Sequence, residues 1–232
     1  MWTPALFSMA DALSLPVNER TGPIRAAEVL GAAVEMRAEW SPEGWEEFFV
    51  YDSAGVTATA WRRIEEASGV YEYRSVGTMP FAAEVFEKMQ YTNAYRLQWD
   101  AYCKTLELIS SEDGLEVCYW DVAYPTPLTN RDYVFYRRLA KLDDGAFMYV
   151  GRQCGAGDDH GHPPATGWMA KNMRVDLYYS QQLVEATGAD SCKFTLQYRD
   201  DPGGSIPKSI VNWAVKTGFP QVYKLIRIHL CV

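Results

Sequence analysis

The chain has 232 residues, of which 48% are hydrophobic and 22% are charged, and its formal net charge is −8. This length and composition predict one soluble globular domain with a sizeable core. The acidic balance argues against general nucleic-acid binding, because phosphate contacts require clustered Lys and Arg.

The first elements along the chain follow a helix, strand, strand, helix order. Residues 1–44 are predicted to be helical, because residues 24–40 carry apolar side chains at roughly helical spacing and residues 41–48 then break the pattern. Alternating polarity at residues 56–64 and 69–79 predicts two strands joined by a turn. Residues 80–90 predict a helix with Pro at its first position, and the chain then leaves that helix through residues 92–100.

A series of strands fills the second half of the chain. Short links between them imply an antiparallel sheet, and the strands are predicted at residues 103–110, 115–124, 131–139, 146–154, 173–186 and 192–200. Residues 155–168 form a longer Gly/Pro loop, and residues 205–230 predict a helix that is broken or kinked at Gly218 and Pro220.

This order of elements predicts the α+β class, with a curved antiparallel sheet against a long C-terminal helix. We expect residues 1–44 to be a helical segment that packs on, or extends, a domain formed by residues 45–232.

Strand alternation places an aromatic ring on a largely apolar face of three strands, at Trp120, Tyr133 and Tyr198. Alternation alone favours plain sheet core, and the wall of a pocket is the alternative. Tyr178 shares its face with polar neighbours, so alternation alone favours Tyr179 for the interior.

No catalytic motif stands out in the chain. A nucleophile elbow, a phosphate-binding loop and a dinucleotide motif are all missing from the sequence, so we predict neither an enzyme nor a cofactor. His160 and His162 lie in a Gly/Pro loop that gives a metal no fixed geometry, and no metal site is predicted.

The cysteines and the hydropathy profile favour a cytoplasmic protein. The five cysteines are scattered without a Cys-x-x-Cys pair, which predicts free thiols in a reducing compartment. The N-terminal residues lack the basic flank of a signal peptide. No run approaches the roughly 18 apolar residues of a membrane-spanning helix.

The segment from Gly203 to Val232 contains no Asp or Glu, and its four Lys and Arg residues are accompanied by apolar side chains at helical spacing. A basic amphipathic helix of this kind suits an anionic membrane surface, and the pattern fits equally well a helix that packs on the sheet. The candidate membrane-docking residues are Lys208, Trp213, Lys216, Phe219, Lys224 and Arg227.

Three segments resemble the START family of lipid-binding domains, namely YRLQWD (95–100), YWDVAYPTPLTNRDYV (119–134) and DDPGGSIPKSIVNWAVKTGFP (200–220). The resemblance extends from about Trp45 to about Arg227. It implies a helix-grip fold, in which a curved antiparallel sheet encloses a lipid tunnel that a long C-terminal helix closes.

The resemblance is greatest to the phosphatidylcholine carriers of this family, and it implies roles for individual residues. Arg96 would pair with the lipid phosphate, and Trp120, Tyr133 and Tyr178, with Tyr198 nearby, would box the choline. Ring faces suit a quaternary ammonium that cannot donate a hydrogen bond, and the Arg fork suits a phosphate. Further tunnel-lining residues would be Val122, Gln90, Ser180, Phe135 and Arg137.

Two of these positions depart from the carriers, since Gln90 replaces a Tyr and Ser180 replaces a Gln. Sterol-binding members use a buried acid paired with an Arg. That Arg corresponds to Arg137, but the acidic position corresponds to Cys118, which ranks sterol below phosphatidylcholine and leaves Arg137 without a predicted partner.

The sequence therefore predicts a monomeric lipid transfer protein that binds one phosphatidylcholine and exchanges it between membranes. Exchange would proceed by peripheral contact with the membrane through the C-terminal helix, and by opening of that helix or of the proline loop Pro125–Asn130. A lipid sensor, a thioesterase-activating partner and a carrier of sterol or ceramide remain alternatives. START domains also occur beside acyl-CoA thioesterase modules, but this chain is too short to hold one.

Overall fold

The computed structural model describes residues 22–53, 55–155, 157–164 and 172–203. Within these ranges the helices are α1 (Ala26–Arg37), α2 (Ala83–Tyr91) and α3 (Asn93–Trp99). The strands are β1 (Glu46–Ser53), β2 (Val56–Ile64), β3 (Tyr71–Met79), β4 (Cys103–Glu112), β5 (Leu115–Val122), β6 (Asn130–Lys141), β7 (Phe147–Gln153), β8 (Asn172–Arg174), β9 (Tyr178–Gly188) and β10 (Ser191–Asp200).

All ten strands belong to one sheet, in the order β1-β2-β3-β10-β9-β7-β6-β5-β4, with β8 paired to β6. Six pairs of consecutive strands form antiparallel hairpins, namely β1–β2, β2–β3, β4–β5, β5–β6, β6–β7 and β9–β10. In the β4–β5 hairpin, Asp113 and Gly114 both have positive φ. An Asp-Gly pair in this conformation matches the right-handed twist of its two strands. The pairing of β3 with β10 joins the N-terminal hairpins to the rest of the sheet.

The sheet is covered on one face by α1. Apolar side chains of α1 pack with residues from β5, β6, β7 and β9 in one buried cluster, which includes Val29, Met36, Tyr136, Met148 and Tyr179. Strand alternation sends the intervening residues of the same strands to the opposite face. Both faces of this part of the sheet are therefore buried, and the cavity described below lies on the face away from α1.

An ion pair fixes α1 to the sheet. Arg152 on β7 donates from Nη1 to Glu28 Oε2 at 3.0 Å, and both side chains are buried. The same guanidinium donates to the carbonyl oxygens of Gly22 and Pro23 just before the helix. A buried charge is tolerated when it is paired and hydrogen-bonded, so this network holds α1 in one position.

Helices α2 and α3 form part of the wall around the opposite face. Phe86 of α2 packs against Phe194 of β10, with ring centroids 5.7 Å apart. Trp99 of α3 donates from Nε1 to the carbonyl oxygen of Met89 at 3.0 Å, which ties the two helices together.

The α+β class and the antiparallel sheet predicted from the sequence are confirmed. Four details were wrong. Residues 46–53 form strand β1 where a break was predicted, and residues 93–99 form helix α3 rather than a connection. The strand predicted over residues 173–186 is divided into β8, which runs parallel to β6, and β9. Helix α2 begins at Ala83, so Pro80 precedes it.

The predicted C-terminal helix lies outside the described residues, together with its six docking candidates Lys208, Trp213, Lys216, Phe219, Lys224 and Arg227. The first 21 residues of the predicted N-terminal helical segment lie outside them as well. Across the described ranges, no helix combines the length and apolar character needed to span a membrane.

Candidate functional site

A cavity of about 270 Å³ lies on the face of the sheet away from α1. Helices α2 and α3 and seven strands contribute to its wall, which is mostly apolar and aromatic. Such a cavity, with few polar groups, is typical of a site for a small apolar or amphipathic molecule. Its polar and charged side chains are Glu87, Gln90, Arg96, Arg137, Ser180 and Gln182.

Arg96 enters this cavity from α3. Its Nε donates to Asp100 Oδ2 at 2.7 Å, and its Nη1 donates to Gln90 Oε1 at 2.8 Å. Its guanidinium carbon lies 4.6 Å from the ring centroid of Trp99 and 5.6 Å from that of Trp120. These contacts hold the planar cation in a fixed orientation at the cavity wall, beside an aromatic ring of β5.

A connected group of aromatic rings, which we call the aromatic cluster, lies next to Arg96. The Trp120 and Tyr133 ring centroids are 5.0 Å apart, those of Tyr133 and Tyr178 are 5.5 Å apart, and those of Tyr178 and Tyr198 are 5.9 Å apart. Phe135 adds a fifth ring, 5.2 Å from Tyr178. Four strands thus bring together all four residues predicted for the choline box.

Members of the predicted site differ in their access to the cavity. Trp120, Tyr178, Tyr198 and Phe135 line it, together with the other predicted residues Gln90, Arg96, Arg137 and Ser180. Tyr133 and Val122 are not among the lining residues and pack within the same buried cluster behind them. Tyr133 donates its hydroxyl hydrogen bond to Asp200 Oδ2 at 2.9 Å.

Tyr178 faces the cavity and not solvent, contrary to the inference from alternation alone. Tyr179 is buried too, but on the α1 side of the sheet. Alternation failed here because both faces of β9 are covered, so a polar row no longer marks a solvent face. The polar neighbours Ser180 and Gln182 are part of the cavity wall.

A glycine makes room for a pair of tyrosines in this wall. The hydroxyls of Tyr149 on β7 and Tyr178 on β9 are 3.1 Å apart and share a hydrogen bond. A Cβ atom on Gly151 would lie 2.4 Å from the Tyr149 hydroxyl. Any side chain at this position would displace the pair, which gives Gly151 a packing reason inside a strand.

Arg137 has a partner that the sequence did not predict. Its Nε donates to Glu116 Oε2 at 2.6 Å, and Glu116 lies directly opposite it in the β5–β6 register. The guanidinium carbon is also 4.3 Å from the Tyr91 ring centroid. In sterol-binding members the acid corresponds to Cys118. Here the acid is Glu116, which lies two residues earlier on the same face of β5.

Several wall residues were missed in the sequence, although part of the signal was present. Phe147 and Tyr149 share the cavity face of β7 by simple alternation. In α2, Phe86 lies four residues before the predicted Gln90 and therefore shares its helix face. Trp99 gave no such signal, because α3 itself was not predicted.

The site is rich in neutral side chains. Burial raises the pKa of the Tyr133, Tyr178 and Tyr198 phenols well above the usual value, so they remain protonated at neutral pH. Burial also raises the pKa of the Cys103 and Cys118 thiols to about 11. The described residues contain no group of three or more His, Cys, Asp or Glu side chains placed to hold a metal ion. These groups can bind and orient an amphipathic molecule.

Comparison with protein families finds a match to the START domain over residues 27–230. The match begins inside α1. The domain boundary predicted from the sequence, at residue 45, lies downstream of this start.

Relatives and solved structures agree with this match. Phosphatidylcholine transfer protein of Rattus norvegicus is 34% identical over 179 residues, which cover 75% of this chain and 78% of that protein. The protein of the same name from Bos taurus is 32% identical over 195 residues, or 81% of this chain and 84% of that protein. The crystal structure of human STARD10 is similar in fold, with a TM-score of 0.70 and 22% identity over 91% of this chain and 84% of that one.

Proposed function

Because this chain belongs to the START domain family, we propose that it is a carrier that binds one phosphatidylcholine molecule in its cavity and transfers it between membranes. The observation that carries the proposal is the position of Arg96 beside the aromatic cluster in one largely apolar cavity. A cation and a set of ring faces are the two groups that a phosphate joined to a quaternary ammonium requires.

Arg96 is the proposed partner of the lipid phosphate. Its permanent charge and planar fork suit a phosphate oxygen pair, and the contacts to Asp100 and Gln90 hold the fork before the ligand arrives. Gln90 Oε1 accepts from Arg96, so the amide group of Gln90 remains available as a donor. A phosphate that reaches this point could therefore accept hydrogen bonds from the Arg96 guanidinium and from the Gln90 amide group.

The aromatic cluster is the proposed site for the trimethylammonium group. A quaternary ammonium is stabilised by ring faces, at about 2 kcal/mol or more when it is desolvated. Neutral phenols and an indole offer such faces without a competing charge. Tyr133, held behind the wall, would support the position of Trp120 and Tyr178 and complete the box from the second layer.

The acyl chains would occupy the apolar part of the cavity, where Phe86, Phe147 and Phe194 line the wall. Burial contributes about 0.8 kcal/mol for each CH₂ group. Most of the gross binding free energy would thus come from the chains, while the head-group contacts decide which lipid is selected. The carrier needs no covalent step, so no enzymatic activity is proposed.

Release of the lipid would require an opening, and two segments that meet at Arg131 are the proposed gate. This buried side chain donates from Nε to the Pro202 carbonyl oxygen at 2.6 Å and from Nη2 to that of Gly203 at 3.0 Å. It also donates to Thr129, within the proline loop Pro125–Asn130. Arg131 therefore ties this loop to the chain that leads into the proposed membrane-docking segment.

A carrier of a hydroxyl-bearing lipid such as a sterol is the second candidate. The Arg137–Glu116 pair favours it, because Arg137 lines the apolar cavity and can donate to the oxygen of a hydroxyl group while Glu116 balances its charge. Sensing of phosphatidylcholine, with or without a thioesterase partner, would use the same cavity.

The experiment is native mass spectrometry of the lipid that co-purifies with the protein, followed by vesicle-to-vesicle transfer of phosphatidylcholine. We expect phosphatidylcholine in the first measurement and measurable transfer in the second. Recovery of sterol or ceramide would contradict the proposal, and binding without transfer would favour the sensor.

Substitution of Arg96 tests the head-group assignment. Arg96→Ala should abolish phosphatidylcholine transfer, and Arg96→Lys should retain only part of it, because Lys keeps the charge and loses the planar fork. Lys193→Ala, at an exposed position of β10, removes one positive charge and should transfer normally. Unchanged circular dichroism of Arg96→Ala would show that the fold is intact, and normal transfer by that variant would refute the role of Arg96.

A further inference from the structure

Asp200 ends strand β10 on the same strand face as the aromatic cluster. It lies directly opposite Tyr178 in the β9–β10 register, and it follows Tyr198 by two residues. Residues two apart on a strand share a face, and opposite residues in an antiparallel pair have Cβ atoms about 4.5–5.5 Å apart. The carboxylate is therefore adjacent to two tyrosines that line the cavity.

The hydrogen bond from Tyr133 brings this carboxylate closer to the proposed cation site. The Tyr133 hydroxyl donates to Asp200 Oδ2 at 2.9 Å, and the ring of Tyr133 contacts those of Trp120 and Tyr178. The Tyr198 hydroxyl is a second hydrogen-bonding neighbour of the carboxylate. A negative charge thus lies at the hydroxyl groups of two phenols of the aromatic cluster.

We propose that Asp200 is a positioning and charge-selecting residue of the head-group site, an anion behind the aromatic box that favours a cationic head group. The proposal rests on the proposed function and names a determinant of its selectivity. The carboxylate would act in two ways. Its hydrogen bonds fix the Tyr133 and Tyr198 rings, and its charge lowers the electrostatic potential where the ammonium would lie.

Charges of opposite sign near the aromatic cluster fit a zwitterion. Arg96 lies 5.6 Å from the Trp120 ring centroid, and Asp200 accepts a hydrogen bond from Tyr133, whose ring centroid lies 5.0 Å from that of Trp120. A head group with its phosphate at Arg96 and its ammonium among the rings would have each charge near an opposite one. Ring quadrupoles alone attract any cation weakly, whereas an added anion in a region of low dielectric strengthens that attraction.

The state of Asp200 depends on pH near the physiological range. Loss of hydration raises its pKa to about 6, although hydrogen bonds from Tyr133 and Tyr198 act in the opposite direction. Charged groups that face it are Arg131 on β6 and the adjacent Asp201, and the phenols that face it are Tyr73, Tyr124, Tyr133 and Tyr198. Above this pKa the carboxylate attracts an ammonium group, and below it that attraction is lost.

The test compares phosphatidylcholine with its carbon isostere, in which carbon replaces the quaternary nitrogen and the head group keeps its shape without the positive charge. The protein is equilibrated with vesicles that contain equal amounts of the two lipids, and native mass spectrometry gives the ratio of bound species. At about pH 7.5 we expect the wild-type chain to prefer phosphatidylcholine about tenfold more strongly than Asp200→Asn does. At about pH 5 most of this difference should be lost.

Asp200→Asn keeps an oxygen that accepts from Tyr133, so the rings stay supported while the charge is removed. Asp201→Asn is the matched control at about pH 7.5, where loss of this exposed neighbouring charge should leave the lipid ratio unchanged. Because Asp201 raises the pKa of Asp200, the pH at which the preference falls should move slightly downward in this variant. Glu87 also lines the cavity, and burial raises its pKa. Glu87 titrates in the wild-type chain and in Asp200→Asn alike, so its effect cancels when the two lipid ratios are compared.

Tyr133→Phe provides a second readout if Asp200→Asn folds poorly. It retains the ring and removes a hydrogen bond that lowers the pKa of Asp200, so the pH at which the preference falls should move upward. An unchanged pH midpoint in Tyr133→Phe, or an equal lipid ratio in Asp200→Asn and the wild type at about pH 7.5, would overturn the inference while the carrier function stands. Failure of the wild-type chain to bind either lipid would overturn the proposed function itself, and the role of Asp200 with it.

Discussion

At the level of single residues, the contact between Arg137 and Glu116 decides how the cavity tolerates a buried cation. Arg137 is 6% exposed, and its Nε lies 2.6 Å from Glu116 Oε2. We expect Glu116→Gln to destabilise the fold by about 3 kcal/mol, because removal of one partner leaves the other charge buried and uncompensated. Equilibrium unfolding in urea measures this loss.

Glu112→Gln is the control for this substitution, since Glu112 is exposed near the same hairpin and an exposed change of this kind typically alters stability by less than about 0.5 kcal/mol. Equal stability of Glu116→Gln and Glu112→Gln would show that the buried pair contributes nothing. It would also remove the observation that favours a hydroxyl-bearing lipid.

Residue identities at the candidate site were more predictable than their environments. Resemblance assigned Trp120, Tyr178 and Tyr198 to one cavity, although alternation alone had argued against Tyr178. Neither signal predicted the partner of Arg137, because cross-strand register is set by the turn and the whole sheet, and one residue of slip changes every pair. Alternation likewise could not show that the opposite faces of β9 are both buried, since this depends on where α1 packs.

At the level of elements, the attachment of α1 depends on the buried Glu28–Arg152 pair. Burial alone would raise the pKa of Glu28, but hydrogen bonds from Arg152 and Arg25 outweigh this effect, and the pKa is lowered from 4.5. A lowered folded pKa means that the carboxylate contributes stability above the unfolded pKa, and that this contribution is lost as the pH falls through the folded value. Acid should therefore loosen α1.

Hydrogen exchange of the α1 amides tests this attachment. Glu28→Gln should lower their protection at neutral pH and remove the further loss that the wild-type chain shows below about pH 4.5. Glu39→Gln alters an exposed carboxylate just after the helix and should behave like the wild-type chain. Full protection of α1 in Glu28→Gln would mean that apolar packing alone holds the helix.

The elements that sequence reasoning missed are those whose conformation depends on neighbours. Among the described residues, strand β1 pairs only with β2, at the edge of the sheet, and its alternation is weak because Phe48 and Phe49 are adjacent. Helix α3 has seven residues, which is too short for a periodic signal. Strand β8 has three residues and is stabilised by its parallel pairing with β6, a contact between residues distant in sequence.

At the level of the whole molecule, the sheet separates two buried regions, and each contains cysteines that can report on it. Cys154 belongs to the cluster shared with α1, whereas Cys103 and Cys118 belong to the cluster that contains the cavity rings. Burial raises the pKa of Cys154 to about 12 and that of Cys103 and Cys118 to about 11. Since the thiolate is the reactive form, alkylation of each thiol requires local opening of its own region.

The two regions should therefore respond separately to changes on their own sides of the sheet. Bound phosphatidylcholine stabilises the states that hold it, so lipid loading should slow the alkylation of Cys118 and leave that of Cys154 unchanged. Glu28→Gln should do the reverse and speed the alkylation of Cys154, because it weakens α1 on the opposite face. Mass spectrometry of peptides after timed exposure to iodoacetamide gives both rates from one sample. If both thiols change together under either treatment, the molecule opens as one cooperative unit, and lipid exchange cannot be confined to the cavity side of the sheet.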